Sequence, residues 1–222
     1  MKRIVLTFDV EHPDQPDGDP AAVASILRDL HKLSLKATFF IQGAWARAYP
    51  ALAKAVAHDG HVVGLHSQWH APYVYLSDSG IAKDLIRGRE TVTRVTGCDP
   101  LPWFRLPYGL GADDPRILAE LARHGYRNVH WNIDPRDWDA AASPDDVAGA
   151  VVSGVRQTDG PCVVVCHAWS RSSTAALSTI SRLLEGDGRF VAADELSDED
   201  LRVVATQPTW VRTARPKPGS PR

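Results

Sequence analysis

Two imidazoles four residues apart, in Gly64-Leu65-His66-Ser67-Gln68-Trp69-His70, follow the β-branched run His61-Val62-Val63. If the chain turns helical after that strand, positions i and i+4 share a face, and His66 and His70 offer two neutral nitrogens to one divalent ion. Such an ion is catalytic only with a third protein ligand and a coordination position open to water. The pair alone is weak, because nine histidines in 222 residues make a chance His-x-x-x-His easy to find. What matters is whether carboxylates and a proton donor gather beside it.

Carboxylates stand in Asp9-Val10-Glu11-His12-Pro13-Asp14, at the end of an apolar N-terminal run. In extended chain, residues i and i+2 face one side, so Asp9 and Glu11 project together and Val10 points away. Further along come Arg105 with Tyr108, Asp134 with Asp137, and His167.

The elements that must position these groups alternate. The first strand ends at Asp9, and a helix follows with Asp19 as N-cap and Pro20 at its first position. Strands are expected at 37–41, 61–65, 127–131, 162–167 and 189–191, with helices near 50–58, 77–95, 115–124 and 174–184. Ser143-Pro144-Asp145-Asp146 opens another helix with a cap, a proline and an acidic first turn. This βα alternation predicts one α/β domain, a distorted (β/α) barrel of about seven parallel strands over residues 1–205. Residues 206–222, basic and proline-rich, are expected as a flexible tail. In such barrels chemistry gathers at the C-terminal strand ends, where all the groups named above fall.

Composition narrows the function. The 25 basic and 27 acidic side chains leave a net charge of −2, so no basic field points to nucleic acid or an anionic membrane. No apolar run reaches the roughly 20 residues needed to span a bilayer. The N-terminus meets Asp9 before a signal-type apolar region could form, and with three cysteines and no disulfide framework the expectation is a cytoplasmic protein. Cys162 and Cys166 read as small core fillers. Trp69, Trp131, Trp138 and Trp169 are candidates for core aromatics or sugar-stacking walls; of these Trp131 reads as core, and Trp138 as a sugar-stacking wall.

Five short segments then resemble, in order and spacing, the motifs of NodB-type polysaccharide deacetylases, carbohydrate esterase family 4. Thr7-Phe8-Asp9 is similar to the start of Thr-Phe-Asp-Asp-Gly, and His66-Ser67-Gln68-Trp69-His70 to His-Ser/Thr-x-x-His. Arg105-Leu106-Pro107-Tyr108-Gly109 resembles Arg-x-Pro-Tyr-Gly, Asp134-Pro135-Arg136-Asp137-Trp138 resembles Asp-x-x-Asp-Trp, and Val165-Cys166-His167 resembles Leu-x-His. The resemblance covers roughly residues 3 to 196 and implies the NodB barrel. It implies a divalent ion, zinc first with cobalt, nickel or manganese as alternatives, on an aspartate and the two histidines. It also implies Asp9 as general base, Arg105 as its orienting partner, His167 as general acid and Asp137 as the carboxylate that keeps His167 charged. Tyr108 would supply a backbone oxyanion donor, with Pro107 and Trp138 as further substrate contacts.

One position departs from the family. The metal-binding aspartate should follow the base, where this chain has Val10. Glu11 is the natural replacement, as in related deacetylases with an Asp-x-Asp or Asp-x-Glu first motif, and His12 and Asp14 are further candidates. The expected activity is hydrolysis of the acetamide of a small intracellular amino sugar, sugar nucleotide or glycoside. The alternatives are a metal-dependent cyclic amide or imide hydrolase, a proton-transfer isomerase or epimerase, and a non-catalytic sugar-binding homologue.

Overall fold

Strict alternation along the first strand decides which groups can meet. In β1 (Lys2–Val10), Ile4, Leu6, Phe8 and Val10 pack outward under the helices, while Val5 packs inward. Thr7, Asp9 and Glu11 share the inward face with Val5, and all three are buried. The computed structural model describes residues 1–12 and 18–211.

The other elements are α1 (Ala22–Lys32), β2 (Thr38–Ile41), α2 (Gly43–Ala48), α3 (Pro50–His58), β3 (Val62–Leu65), α4 (Asp78–Thr96), β4 (Trp103–Phe104) and α5 (Pro115–Arg123). They continue with β5 (Arg127–Asn128), β6 (Ile133–Asp134), α6 (Pro144–Gln157), β7 (Cys162–His167), α7 (Arg171–Leu183), β8 (Gly188–Val191), α8 (Asp198–Thr206) and β9 (Trp210–Val211). The sheet runs β5-β4-β3-β2-β1-β7-β6-β9, with every pair parallel. β8 pairs with Lys2–Val5 of β1, below the stretch Thr7–Val10 that pairs with β2. Among the described residues no pairing joins β5 to β9, so the expected distorted α/β barrel is an open, curled sheet.

Two apolar layers hold it. The larger fills the space between sheet and helices, from Ile26 and Leu30 of α1 through Leu85 of α4 to Val151 of α6. The smaller plugs the concave side with Val5, Phe40, Trp103, Val129 and Val163, closed from below by Leu196, Leu201 and Val204. Cys162 and Cys166 lie in the outer layer, as expected of core fillers.

The structure departs from the sequence expectations in identifiable places. α1 starts at Ala22, because the Asp19 carboxylate accepts the Ala21 N–H and closes a turn before the helix. β6 and β9 raise the strand count to nine; each is two residues long, too short to show a period. Residues 207–211 do not behave as the expected tail. The Gln207 side chain bonds Asn132 and Trp210 pairs with Ile133, so this segment closes onto the β6 edge. The rest of that tail, 212–222, and the candidate ligand Asp14 lie outside the described residues.

Gly64 sits where β3 passes the inner plug: an added Cβ would meet the Phe40 ring at 2.6 Å and the Trp103 carbonyl at 3.0 Å. Gly64→Ala should therefore cost about 1–3 kcal/mol in urea unfolding at unchanged m-value. A loss below about 0.5 kcal/mol, ordinary for a surface change, would contradict this packing.

Candidate active site

The sheet delivers its polar groups to one end because the inward residues at the strand C-termini are not apolar. Asp9 comes from β1 and Glu11 from the residue after it, His66 from the residue after β3, Arg105 from the residue after β4, and His167 closes β7. Parallel register sets Asp9 directly beside His167.

The histidine pair converges, but not as a helix. Ser67 and His70 both have left-handed backbones, φ 60° and 59°, so the helical-face argument is replaced by a tight loop. Three sets of bonds fix that loop. The Gly43 and Ala44 N–H groups at the start of α2 donate to the Ser67 and Gln68 carbonyls, and the His70 N–H donates to Ser67 Oγ at 2.7 Å. The Gln68 N–H donates to Asp84 Oδ1 at 2.8 Å.

The loop brings His66 Nε2 and His70 Nε2 to 3.2 Å from each other and to 3.1 and 2.6 Å from Glu11 Oε2. Among the described residues these three form the cluster whose ligand atoms all lie within 4.8 Å. Two details show that they fit a cation. Glu11 Oε2 is buried and without a satisfied hydrogen bond, with the two Nε2 atoms facing it. His66 Nδ1 lies 2.9 Å from the Arg105 carbonyl, which only accepts, so Nδ1 carries a proton and Nε2 is the nitrogen turned toward the cluster. Burial alone would raise the Glu11 pKa, but His66, His70 and His167 outweigh it and hold the group well below the usual carboxylate range. An ionised carboxylate and two imidazoles in a dry place are a borderline-soft N2O donor set of the kind zinc takes. Glu11 thus offers a ligand atom to this cluster, whereas Val10 is buried in the outer layer. His12 is exposed and outside the cluster.

Beside the cluster, Arg105 is wholly buried and pairs with Asp9 Oδ1 at 2.9 Å. Its Nη1 also donates to Thr7 Oγ1 at 2.6 Å and its Nε to the Val129 carbonyl at 3.0 Å, while Phe40 lies under the guanidinium at 4.3 Å. Removing one member of such a dry pair leaves an uncompensated charge, at a cost of about 3–5 kcal/mol. Asp9 Oδ2 is left facing His66 Nε2 at 3.8 Å.

On the other flank His167 Nδ1 meets Asp137 Oδ1 at 2.7 Å, and its Nε2 stands 3.9 Å from Glu11 Oε1. Asp137 is itself fixed by the His167 backbone N–H and by the Ser173 hydroxyl, at 2.7 and 2.5 Å. Burial opposes charge on His167, yet Asp137, Glu11 and Asp9 prevail and raise its pKa to about 10. The imidazole is therefore a cation at neutral pH.

These groups open into a cleft of about 370 Å³. Asp9, Glu11, His66, His70 and His167 form its floor; Tyr108, Trp138, Asp134, Trp131 and Trp169 form its walls. The Tyr108 ring tilts against His70 with centroids 4.4 Å apart and is 52% exposed, and Trp138 is 37% exposed with Arg136 stacked over it. Three placements correct the sequence reading. Pro107 is buried and off the cleft; it starts the turn that puts Tyr108 in a left-handed conformation, φ 58°. Trp131, expected in the core, lines the cleft and lies over Arg105 at 5.4 Å. Trp69, among the possible sugar walls, points away with Arg87 over its ring. The sequence assigns no role to Thr7 or Ser173, and leaves open between core and cleft Trp169, whose indole N–H donates to Glu11 Oε1 at 3.4 Å. Thr7 was findable, since it shares the period-2 face of Asp9 and Glu11; Ser173 carried no local signal.

Comparison with known proteins gives the family of this fold. The polysaccharide deacetylase family model matches residues 1–129, and the chain belongs to that family. A peptidoglycan-N-acetylglucosamine deacetylase of Listeria monocytogenes is 31% identical over 204 residues, which cover 91% of this chain and 40% of that protein. The chain thus spans well under half the length of this curated relative. A family 4 carbohydrate esterase from Streptomyces lividans, solved with acetate, superposes with TM-score 0.73 at 28% identity, covering 86% of this chain and 91% of that one. A family 4 pseudoenzyme from Bacillus anthracis superposes with TM-score 0.78 at 26% identity, over 89% of this chain and 66% of that one. The fold therefore carries both active and inactive members, and the side chains must decide.

Titration with Zn2+ should find one tight site per chain. Glu11→Gln, which keeps size and folding but removes the anionic ligand, should weaken it more than ~100-fold, beyond the range of outer-shell changes. Equal affinity in both proteins would exclude Glu11 as the third ligand.

Proposed function

We propose that this chain is a metal-dependent N-deacetylase that hydrolyses the acetamide of an N-acetylglucosamine unit in a glycan chain. The observation that carries the reading is the juxtaposition of Glu11, His66 and His70 with a free Asp9 oxygen on one flank and the charged His167 on the other. A divalent ion, zinc first by its ligands, would supply Lewis acidity toward the acyl oxygen and lower the pKa of a neighbouring water from about 15.7 toward 7.

The chain's own residues divide the remaining work. Arg105 holds Asp9 Oδ1, so Oδ2 is the atom that takes a proton from the attacking water. The Tyr108 backbone N–H stabilises the oxyanion that forms on the acetyl carbon's oxygen. With Nδ1 committed to Asp137, His167 gives its Nε2 proton to the amine nitrogen as the C–N bond breaks, releasing acetate and a free amine. Tyr108 and Trp138, both half-exposed, offer faces on which sugar rings can stack.

The substrate reading differs from the small intracellular molecule expected from the sequence. The Listeria relative is named for peptidoglycan N-acetylglucosamine, and this favours a glycan chain. A non-catalytic role is the rival raised by the Bacillus anthracis pseudoenzyme. It is disfavoured by the presence in one cleft of the residues read as base, acid and three ligands, with Arg105 and Asp137 bonded behind Asp9 and His167.

Acetate release from N-acetylglucosamine oligomers tests the proposal. Asp9→Asn and His167→Ala should each lower kcat/KM by about 10²- to 10⁴-fold, and turnover like that of the wild type in either would overturn the assigned role. The pH profile adds a sign. A raised histidine pKa keeps the acid form present up to that pKa and lost above it, so activity should fall on the alkaline side. An ion beside Glu11 offsets that carboxylate's contribution and sets the limb below 10. Asp137→Asn removes the neighbouring charge, so its alkaline limb should move to lower pH; an unmoved limb would deny His167 the acid role.

A further inference from the structure

The loop carrying both histidines is strained, and its hold on α4 comes from a residue outside the five motifs. Ser67 and His70 occupy left-handed conformations without being glycine, which costs on the order of 1–3 kcal/mol each and persists only where the surroundings over-determine the backbone. Asp84, buried on α4, accepts the Gln68 N–H at 2.8 Å, midway between the two ligands in sequence. The same Oδ1 accepts the hydroxyl of the fully buried Tyr73, also at 2.8 Å, three residues after His70. One carboxylate oxygen therefore ties both the middle of the loop and the segment that leaves it.

The approach of α4 is built for this contact. Gly88, one turn beyond Asp84 on the same helix face, lies so close that an added Cβ would stand 3.3 Å from the Gln68 backbone nitrogen and 2.9 Å from Leu65 Cδ1. Helix and loop thus meet with no side chain between them at Gly88. Asp84 itself touches neither His66 nor His70 side chain in any bond found in the structure, so its influence runs through the backbone.

We infer that Asp84, supported by Tyr73, is a positioning residue that sets the distance between His66 and His70 and hence the affinity and geometry of the cation site. The inference rests on the metal reading above. It differs from the outer-shell bonds usual at metal sites, because the carboxylate grips the ligand-bearing backbone instead of a ligand ring.

The test measures metal binding, not turnover. Zn2+ affinity by chelator competition and the visible absorption spectrum of the Co2+-loaded protein are compared for the wild type, Asp84→Asn and Tyr73→Phe. Asp200→Asn, which damages the α8 capping box far from the cleft, serves as a control for general destabilisation. Asp84→Asn turns one acceptor into a donor and should weaken Zn2+ by about 10- to 100-fold and alter the Co2+ bands. Tyr73→Phe, a milder change that keeps the fold even if Asp84→Asn does not, should weaken Zn2+ about two- to tenfold, the equivalent of one hydrogen bond. The control should lower Tm and leave both metal readouts alone. Affinity and spectrum equal to the wild type in Asp84→Asn, or in Tyr73→Phe where Asp84→Asn does not fold, would overturn the inference and leave the deacetylase reading standing. A wild type that binds neither metal would remove the ground under both.

Discussion

A buried carboxylate oxygen without a hydrogen bond, set against two imidazole nitrogens, is the constraint on which the site depends. Glu11 Oε2 is ionised and desolvated, and leaving such an atom unpaired costs several kcal/mol unless a cation completes it. Each nearby feature answers to that centre. His66 is locked by the Arg105 carbonyl into the tautomer that directs Nε2 inward, and Trp169 takes up the other Glu11 oxygen. The charge of Arg105, itself dry, is matched by Asp9 and cushioned by Phe40 and Trp131. Asp9 and His167 remain separate because each is bound to its own partner, Asp9 to Arg105 and His167 to Asp137.

The sheet makes this possible by a simple division of its two faces. Outward residues of β1, β3 and β7 are apolar and pack under helices, while inward residues change from apolar at the bottom to polar at the top. Val5, Thr7, Asp9 and Glu11 trace that change along one strand. The inner plug of Phe40, Trp103 and Val163 then excludes water from beneath the polar floor, which strengthens every electrostatic contact above it. A carboxylate at position 11 rather than 10 stands on the inward face, beside His66 and His70, while Val10 is buried in the outer core.

What the sequence made legible follows the same physics. The period of two in β1 paired Asp9 with Glu11 and excluded Val10, and the βα alternation gave the parallel architecture, because both patterns are local. The capped helices starting after Ser77 and Ser143 were readable for the same reason. The route by which His66 and His70 meet was not readable. Left-handed backbones at Ser67 and His70 are imposed by α2 and Asp84 from elsewhere in the chain, against the preference of the residues themselves. Trp131 and Trp169 could not be sorted into core or cleft either, since an aromatic beside a strand end serves both. The segment 207–211 reads as polar linker until Asn132 and Ile133 supply its partners.

The central claim, that Glu11 replaces the expected aspartate as ligand beside His66 and His70, is tested most directly by anomalous diffraction from crystals grown with zinc, collected on both sides of the zinc edge. The account predicts one strong peak at about 2.0–2.2 Å from Glu11 Oε2, His66 Nε2 and His70 Nε2 together. A peak coordinated by other side chains, or by the two histidines with Glu11 swung away, would contradict it.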